Sequence, residues 1–337
     1  MLEDYWYIAC RAKDLRGTPV SRTIMGRHLV LFRTEAGEAA ALKDRCAHRN
    51  APLSKGKVCQ NTLQCPYHGW RYDTEGGITE IPALAQQGAA GFSARIKSYS
   101  CVEQQGYVWV CLSSTPLNPG PLSFPGLNQA GWTSFHMRTR FAAPVEACLE
   151  NFLDCPHATH VHRGWFRSPT QRQVSATVRT LDDGAEAEYF EEPRERSVVW
   201  SLLSPRRADM QHTDRFIVPA TSRVDYRFSN GMHYTITSSC TPIDECTTEV
   251  FTVISFRIKW VGWLVKLYFK PLSRFIIKQD VAILGVQQQN IKKFGGPGFK
   301  VLEADLLYTS ISQWRAALKE GTAPPAAGES RDVQLRI

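Results

Sequence analysis

The chain has 337 residues, a formal charge of +8, 43% hydrophobic and 21% charged residues. The length suits two domains, and the composition suits an ordinary soluble globular protein with ample core material. No uncharged apolar run approaches the length of a membrane span, and no basic stripe with interleaved aromatics suggests nucleic acid.

The moderate positive charge fits either a solvated surface or docking of an acidic partner such as a small electron carrier. The N-terminus, MLEDYWYIACRAKD, shows no basic region followed by an apolar stretch, so no secretory signal is expected. Of ten cysteines, Cys46 and Cys65 stand out because histidines accompany them; the others read as thiols in apolar or loop positions. A reducing cytoplasm is the expected compartment.

Up to residue 112 the chain alternates short strand-like runs with turns. HLVLF (28–32), AAALKD (39–44), ARIKSYS (94–100) and YVWVCL (107–112) carry the strand pattern. Between them lie CAHRNAPLSKG (46–56) and CPYHGW (65–70), giving the ligand spacing C-x-H-x16-C-x2-H. Two metals suit that set: a tetrahedral zinc, or a [2Fe–2S] centre with two cysteines on one iron and two histidines on the other. Zinc fingers usually group like with like. Here each loop offers one cysteine and one histidine, which suits a cluster clamped between two loops.

SSTPLNPGPLSFPG (113–126) is the most convincing linker. It sets a first domain at 1–115, a connection at 116–126 and a second domain at 127–319. PVEACLENFL (144–153) reads as a helix. ENFLDCPHATHVHRGW (150–165) follows, with His157, His160 and His162 beside Asp154 and Glu150. Such a cluster suits non-haem iron held by two histidines and a carboxylate. On an ideal helix His157 and His160 would be neighbours, but Pro156 breaks the count. Spacing alone does not choose between them.

Strand-like runs continue through VSATVRT (174–180), EAEYFE (186–191), SVVWSLL (197–203), HYTITSS (233–239) and EVFTVISFRI (249–258), and a helical segment spans about 260–294. Within it, KWVGWLVKLYFK (259–270) puts Lys259, Lys266 and Lys270 on one side and Val261, Leu264, Val265 and Tyr268 on the other. A basic amphipathic helix can lie on a membrane surface. A helix packed on the core with a solvated lysine edge is the preferred reading. The tail at 320–337 is expected to be disordered.

Together the loops CAHRNAPLSKG and CPYHGWRYD and the run N-F-L-D-x2-H-x4-H resemble the Rieske non-haem iron oxygenases, in the short single-chain monooxygenase and demethylase branch. That resemblance implies an α+β fold: an N-terminal all-β Rieske domain, then a larger helix-grip-like catalytic domain with an antiparallel sheet. It implies that Cys46, His48, Cys65 and His68 hold the [2Fe–2S] cluster, and that His157 and His162 hold a mononuclear Fe(II). The third ligand falls on Asp280 in KQDVAILGVQQQN (278–290), with Asp305 as the alternative. Asp154 matches the acidic residue that bridges to a neighbouring subunit's cluster. Asn151 matches a position close to the metal. His160 has no ligand role in that pattern and is expected beside the site or in the pocket.

The resemblance further implies O2 as co-substrate, a head-to-tail homotrimer and electrons from NAD(P)H. No GxGxxG follows a strand, so a separate reductase, with or without a ferredoxin, is expected. A small apolar or aromatic substrate is expected, hydroxylated or oxidatively demethylated. The rival reading is a Rieske electron-transfer protein whose second domain only docks partners.

Overall fold

β-Branched and aromatic runs, cut by tight turns, build the N-terminal part of the chain from strands and single helical turns. The computed structural model describes residues 1–84, 94–162, 173–190, 209–258 and 262–336. It divides into two units, Leu2–Ser123 and Phe124–Ile337. The expected strand SVVWSLL (197–203) lies outside the described residues.

In the first unit, β1 (Trp6–Arg11), β2 (Val20–Ile24), β3 (Arg27–Arg33), β4 (Ala39–Lys43), β9 (Ser98–Gln104) and β10 (Tyr107–Cys111) form one antiparallel sheet in the order β1-β10-β9-β4-β3-β2. A second sheet holds β5 (Lys57–Cys59), β6 (Thr62–Gln64), β7 (Arg71–Tyr72) and β8 (Ile78–Glu80) in sequence order. β2 and β3 join through Met25–Gly26, both at positive φ, the two-residue hairpin that matches strand twist. Leu29 to Phe32 are wholly buried, so β3 reads as a continuous apolar run. Val30, Phe32 and Leu42 of the larger sheet pack with Leu63 and Tyr72 of the smaller, and Cys46 and Cys65 sit in that same core.

The second unit is one eight-stranded antiparallel sheet, ordered β11-β17-β16-β15-β14-β13-β12-β18. Its strands are β11 (Thr133–Phe141), β12 (Gln173–Leu181), β13 (Gly184–Phe190), β14 (Met210–Ile217), β15 (Thr221–Phe228), β16 (His233–Asp244), β17 (Thr247–Arg257) and β18 (Ser330–Arg336). α1 (Val145–Leu153) packs on β14 to β17, and the long α3 (Gly262–Lys293) packs on β11 and α1. α4 (Tyr308–Glu320) packs on α1 and β13. Pro144 stands at the N-cap of α1, and Asp154 ends it. The single turn α2 (His157–His160) then starts after Pro156, whose missing N–H forbids a continuous helix.

Two expectations are corrected. The tail is not disordered throughout: Ser330–Arg336 pairs antiparallel with β12 as an edge strand and buries Val333 and Leu335. The Pro- and Ala-rich run before it hid this short alternation of apolar and polar residues. In α3, Val265 and Phe269 face the core, whereas Leu264 and Tyr268 are 39% and 61% exposed. Periodicity located an apolar face there but misjudged its direction. No helix among the described residues is long and apolar enough to cross a membrane.

The edge strand generates a stability prediction. Leu335→Ala should cost about 2–3 kcal/mol in chemical denaturation, while Arg336→Ala, at an exposed position, should change stability by less than about 0.5 kcal/mol.

Candidate metal centres and active site

The two Cys/His loops are built on one plan. Cys46 N–H donates to the Ala51 carbonyl at 2.9 Å, and Cys65 N–H to the Trp70 carbonyl at 2.8 Å, so each loop closes five residues on. Asn50 and Gly69, each four positions after its cysteine, take up the left-handed backbone at φ 63° and 73°. A Cβ on Gly69 would also press on Pro82 and Gln64, at 3.1 and 3.2 Å. This matching turns both cysteines inward and both histidines outward. Cys46 and Cys65 are 1% and 3% exposed, whereas His48 is half-buried and His68 is exposed.

Burial pushes the Cys65 thiol above its ordinary value, opposed by the backbone N–H groups of Tyr67 and His68. The Tyr72 hydroxyl accepts from Ala47 N–H and lies 3.1 Å from Cys46 Sγ, placed to donate to it. His48 stacks on Trp70 with ring centroids 4.8 Å apart, and the His48 and His68 rings lie 4.5 Å apart. His48 Nδ1 is buried without a partner. Adjacent buried sulfurs, two imidazoles side by side and an orphaned ring nitrogen fit a cluster held from two loops.

The second site forms where α1 breaks. His157 Nδ1–H donates to the Asp154 carbonyl, across the turn that Pro156 imposes. His162 Nδ1–H donates to Gln279 Oε1 on α3 at 2.9 Å. With both Nδ1 atoms engaged, the Nε2 atoms face each other at 3.3 Å. Asp280 Oδ1 lies 3.1 Å from His162 Nε2 and 3.7 Å from His157 Nε2. Donors at neighbouring positions around a metal, with bonds near 2.1 Å, lie about 3.0–3.5 Å apart. These three donor atoms all lie within 4.8 Å of one another. The set fits a two-histidine, one-carboxylate iron with open positions.

The other expected residues separate clearly. Asn151 lines the adjoining cavity, with a buried, unpartnered Oδ1. Asp154 also lines it, with its carboxylate 3.9 Å from His157 Nδ1. Asp305 stays outside the triad; its carboxylate accepts from Leu302 N–H at 2.8 Å. His160 is exposed and absent from the described cavity wall, which corrects its expected place beside the site.

The triad closes one end of a cavity of about 150 Å³. Alternate residues of β14 to β17 form much of its wall: His212 and Asp214, Ser222, Val224 and Tyr226, Tyr234, Ile236 and Ser238, Thr252 and Ile254. Tyr189, His212, Tyr226 and Tyr234 are direct cross-strand neighbours. His212 lies between Tyr189 and Tyr226, with centroids 4.4 and 4.3 Å away. Asp214 accepts from Tyr189 and pairs with His212, both at 3.0 Å. Sequence reasoning missed this row. His212 and Asp214 at i,i+2 in MQHTDRFI was its only local signal.

Residues 5–100 match the Rieske [2Fe–2S] domain, and residues 141–320 match the vanillate O-demethylase oxygenase C-terminal domain. The chain belongs to the Rieske oxygenases. It is 34% identical to aminopyrrolnitrin oxygenase of Pseudomonas fluorescens over 47% of this chain and 45% of that protein. It is 26% identical to the methylxanthine N1-demethylase of Pseudomonas putida over 75% of this chain and 73% of that one. The match to the chloroplastic chlorophyllide a oxygenase of Arabidopsis thaliana, 33% identical over 49% of this chain, spans only 30% of that protein. Among solved structures, dicamba monooxygenase bound to 3,6-dichlorosalicylic acid superposes with a TM-score of 0.84 at 22% identity. That superposition covers 95% of this chain and 98% of that one, and it shows a shared fold.

Glu150, Asp154 and Asp305 line a small crevice beside the cavity. Burial, then the carboxylates of Asp154 and Asp305, raise Glu150 to about 7. A raised carboxyl pKa favours the folded state at low pH, and that advantage is lost as pH climbs from the unfolded value toward 7. Glu150→Gln should therefore raise the melting temperature at pH 8 by roughly 2–4 °C and leave it unchanged at pH 4, as read by thermal denaturation.

Proposed function

We propose that this chain is the terminal oxygenase component of a Rieske oxygenase system, inserting oxygen into a small, apolar or aromatic molecule by hydroxylation or oxidative demethylation. The observation that carries the reading is the convergence of His157 Nε2, His162 Nε2 and Asp280 Oδ1 at one end of a largely apolar cavity. A pure electron carrier would need neither the triad nor the cavity. Relatives named as an oxygenase, a demethylase and a monooxygenase support the same class.

When bound, the cluster supplies electrons singly, and the mononuclear iron supplies a site for O2. In this proposal Cys46 and Cys65 hold one cluster iron, and His48 and His68 hold the other. Tyr72, already accepting from Ala47 N–H, donates its hydroxyl hydrogen to the Cys46 sulfur. The Asp154 carbonyl and Gln279 fix both imidazoles as Nδ1–H tautomers, keeping their Nε2 lone pairs turned to the metal. Asp280 adds the anionic ligand, and Asn151, on the cavity wall, has a buried carbonyl oxygen without a partner. Met137, Phe152, Ile254, Ile276 and Ile277 keep that end dry and leave room for the substrate.

Asp154 is assigned the hydrogen-bonded bridge from His157 to a cluster histidine of a neighbouring subunit. That assignment carries with it a head-to-tail homotrimer, since a heterologous interface repeated with the right rotation closes into a ring. Electrons come from NAD(P)H through a separate reductase, with or without a ferredoxin. Ten cysteines, none in a disulfide, suit a reducing cytoplasm, which completes the proposal.

Substitution separates the roles. His157→Ala, His162→Ala and Asp280→Ala should each lose about one iron per chain while keeping the Rieske EPR signal; His160→Ala and Asp305→Ala should keep all iron. Asp154→Ala should retain both metals yet slow cluster oxidation in single turnover by about 100-fold or more. Iron retained in His162→Ala and lost from His160→Ala would reverse the ligand assignment, and normal turnover of Asp154→Ala would remove that residue from the mechanism.

A further inference from the structure

Tyr234 is 2% exposed and lines the cavity. Its hydroxyl makes no hydrogen bond with any described residue, in contrast to Tyr189 and Tyr72, whose hydroxyls are engaged. Burial alone acts on the phenol and holds it well above the ordinary tyrosine range, so it stays a neutral O–H donor. A hydroxyl on a largely apolar cavity wall, with no protein partner, gains a hydrogen bond from a ligand that carries an acceptor.

The position of this hydroxyl-bearing residue is also informative. The Tyr234 ring meets Phe269 edge-on at 5.4 Å. Phe269 precedes Asp280 by eleven residues on α3, about 16 Å along an ideal helix. Tyr234 thus belongs to the wall remote from the metal triad. The rings of Tyr189, His212, Tyr226 and Tyr234 stack on one another across the strands, with interplanar angles of 10° to 19°. His212, Tyr226 and Tyr234 of that stack line the cavity, to which stacked rings present edges rather than faces. Ring edges are electropositive and meet the face of an aromatic ligand favourably.

Charge narrows the ligand further. Asp154, Asp214 and Asp280 line the cavity, and no lysine or arginine does so among the described residues. A carboxylate ligand would meet like charge without a guanidinium or ammonium to receive it. The volume, about 150 Å³, suits a small molecule built on one ring.

We infer that the cavity is built for an uncharged aromatic molecule with a hydrogen-bond acceptor, held by the Tyr234 hydroxyl at the end away from His157, His162 and Asp280. This deepens the oxygenase reading and rests on it for the identity of the reacting end. Tyr234 acts here as a specificity-determining residue that touches substrate.

The test uses the full chain with both metals loaded, oxygen-free and without an electron donor, so that binding is read apart from turnover. Calorimetric titration compares three probes: methyl 4-methoxybenzoate, 4-methoxybenzoate and 4-methoxytoluene. The ester should bind at least about tenfold more tightly than the carboxylate. Tyr234→Phe should weaken the ester about five- to tenfold and change 4-methoxytoluene less than about twofold. Iron content and melting temperature of the variant establish that it folds. The inference is overturned if the carboxylate binds as tightly as the ester, if Tyr234→Phe weakens both neutral probes alike, or if the ester fails to bind at millimolar concentration. Retained ester binding in a chain that takes up no mononuclear iron would sink the oxygenase reading alone.

Discussion

Two hydrogen bonds at the ring nitrogens of His157 and His162 govern the geometry of the proposed iron site. Each places a proton on Nδ1, and each thereby points a lone pair on Nε2 toward Asp280. Neither acceptor is a local accident. The Asp154 carbonyl is available because Pro156 ends α1, and Gln279 is available because α3 runs alongside the break. Without those acceptors the rings could rotate or take the other tautomer, and three donor atoms would no longer share one point. The eight-stranded sheet and α1 serve this arrangement by holding the helix break against a rigid floor. The same floor supplies the alternate side chains of the cavity.

A related economy shapes the cluster loops. Matched closures from Cys46 to Ala51 and from Cys65 to Trp70 give two short segments the same turn, although their sequences share little beyond Cys and His. Their sulfurs enter the core between the two sheets while their imidazoles stay toward the surface. Electron entry from a partner needs an accessible edge, and sulfur ligation needs shelter. With the proposed ligands, one turn geometry used twice would provide both.

How much of this is legible in the sequence depends on how local each feature is. The Cys46/His48 and Cys65/His68 pairs stand within short runs, so spacing alone narrows the chemistry to two metals. The helix before Asp154 and its end at Pro156 follow from helix propensity and the missing N–H. Asp280 is different. It is one acidic residue on an ordinary-looking helix, and only a family pattern singles it out from Asp305. Tyr189, His212, Tyr226 and Tyr234 come from separate strands, and their row exists only once the register of β13 to β16 is known. Leu264 and Tyr268 show the limit of periodicity, which finds a stripe on a helix without saying which neighbour covers it. Residues 330–336 were hidden by the composition of the run before them, although Val333 and Leu335 alternate as an edge strand requires.

The account stands on the coexistence of two iron centres in one polypeptide, one relaying electrons and one holding oxygen beside the substrate. The most direct measurement is iron and acid-labile sulfide per chain in protein purified without oxygen, with EPR of the reduced sample and of the nitric oxide adduct. The account predicts about three irons and two sulfides, a Rieske spectrum and a separate high-spin ferrous–nitrosyl signal. Two irons, two sulfides and no nitrosyl signal in a fully loaded preparation would contradict it.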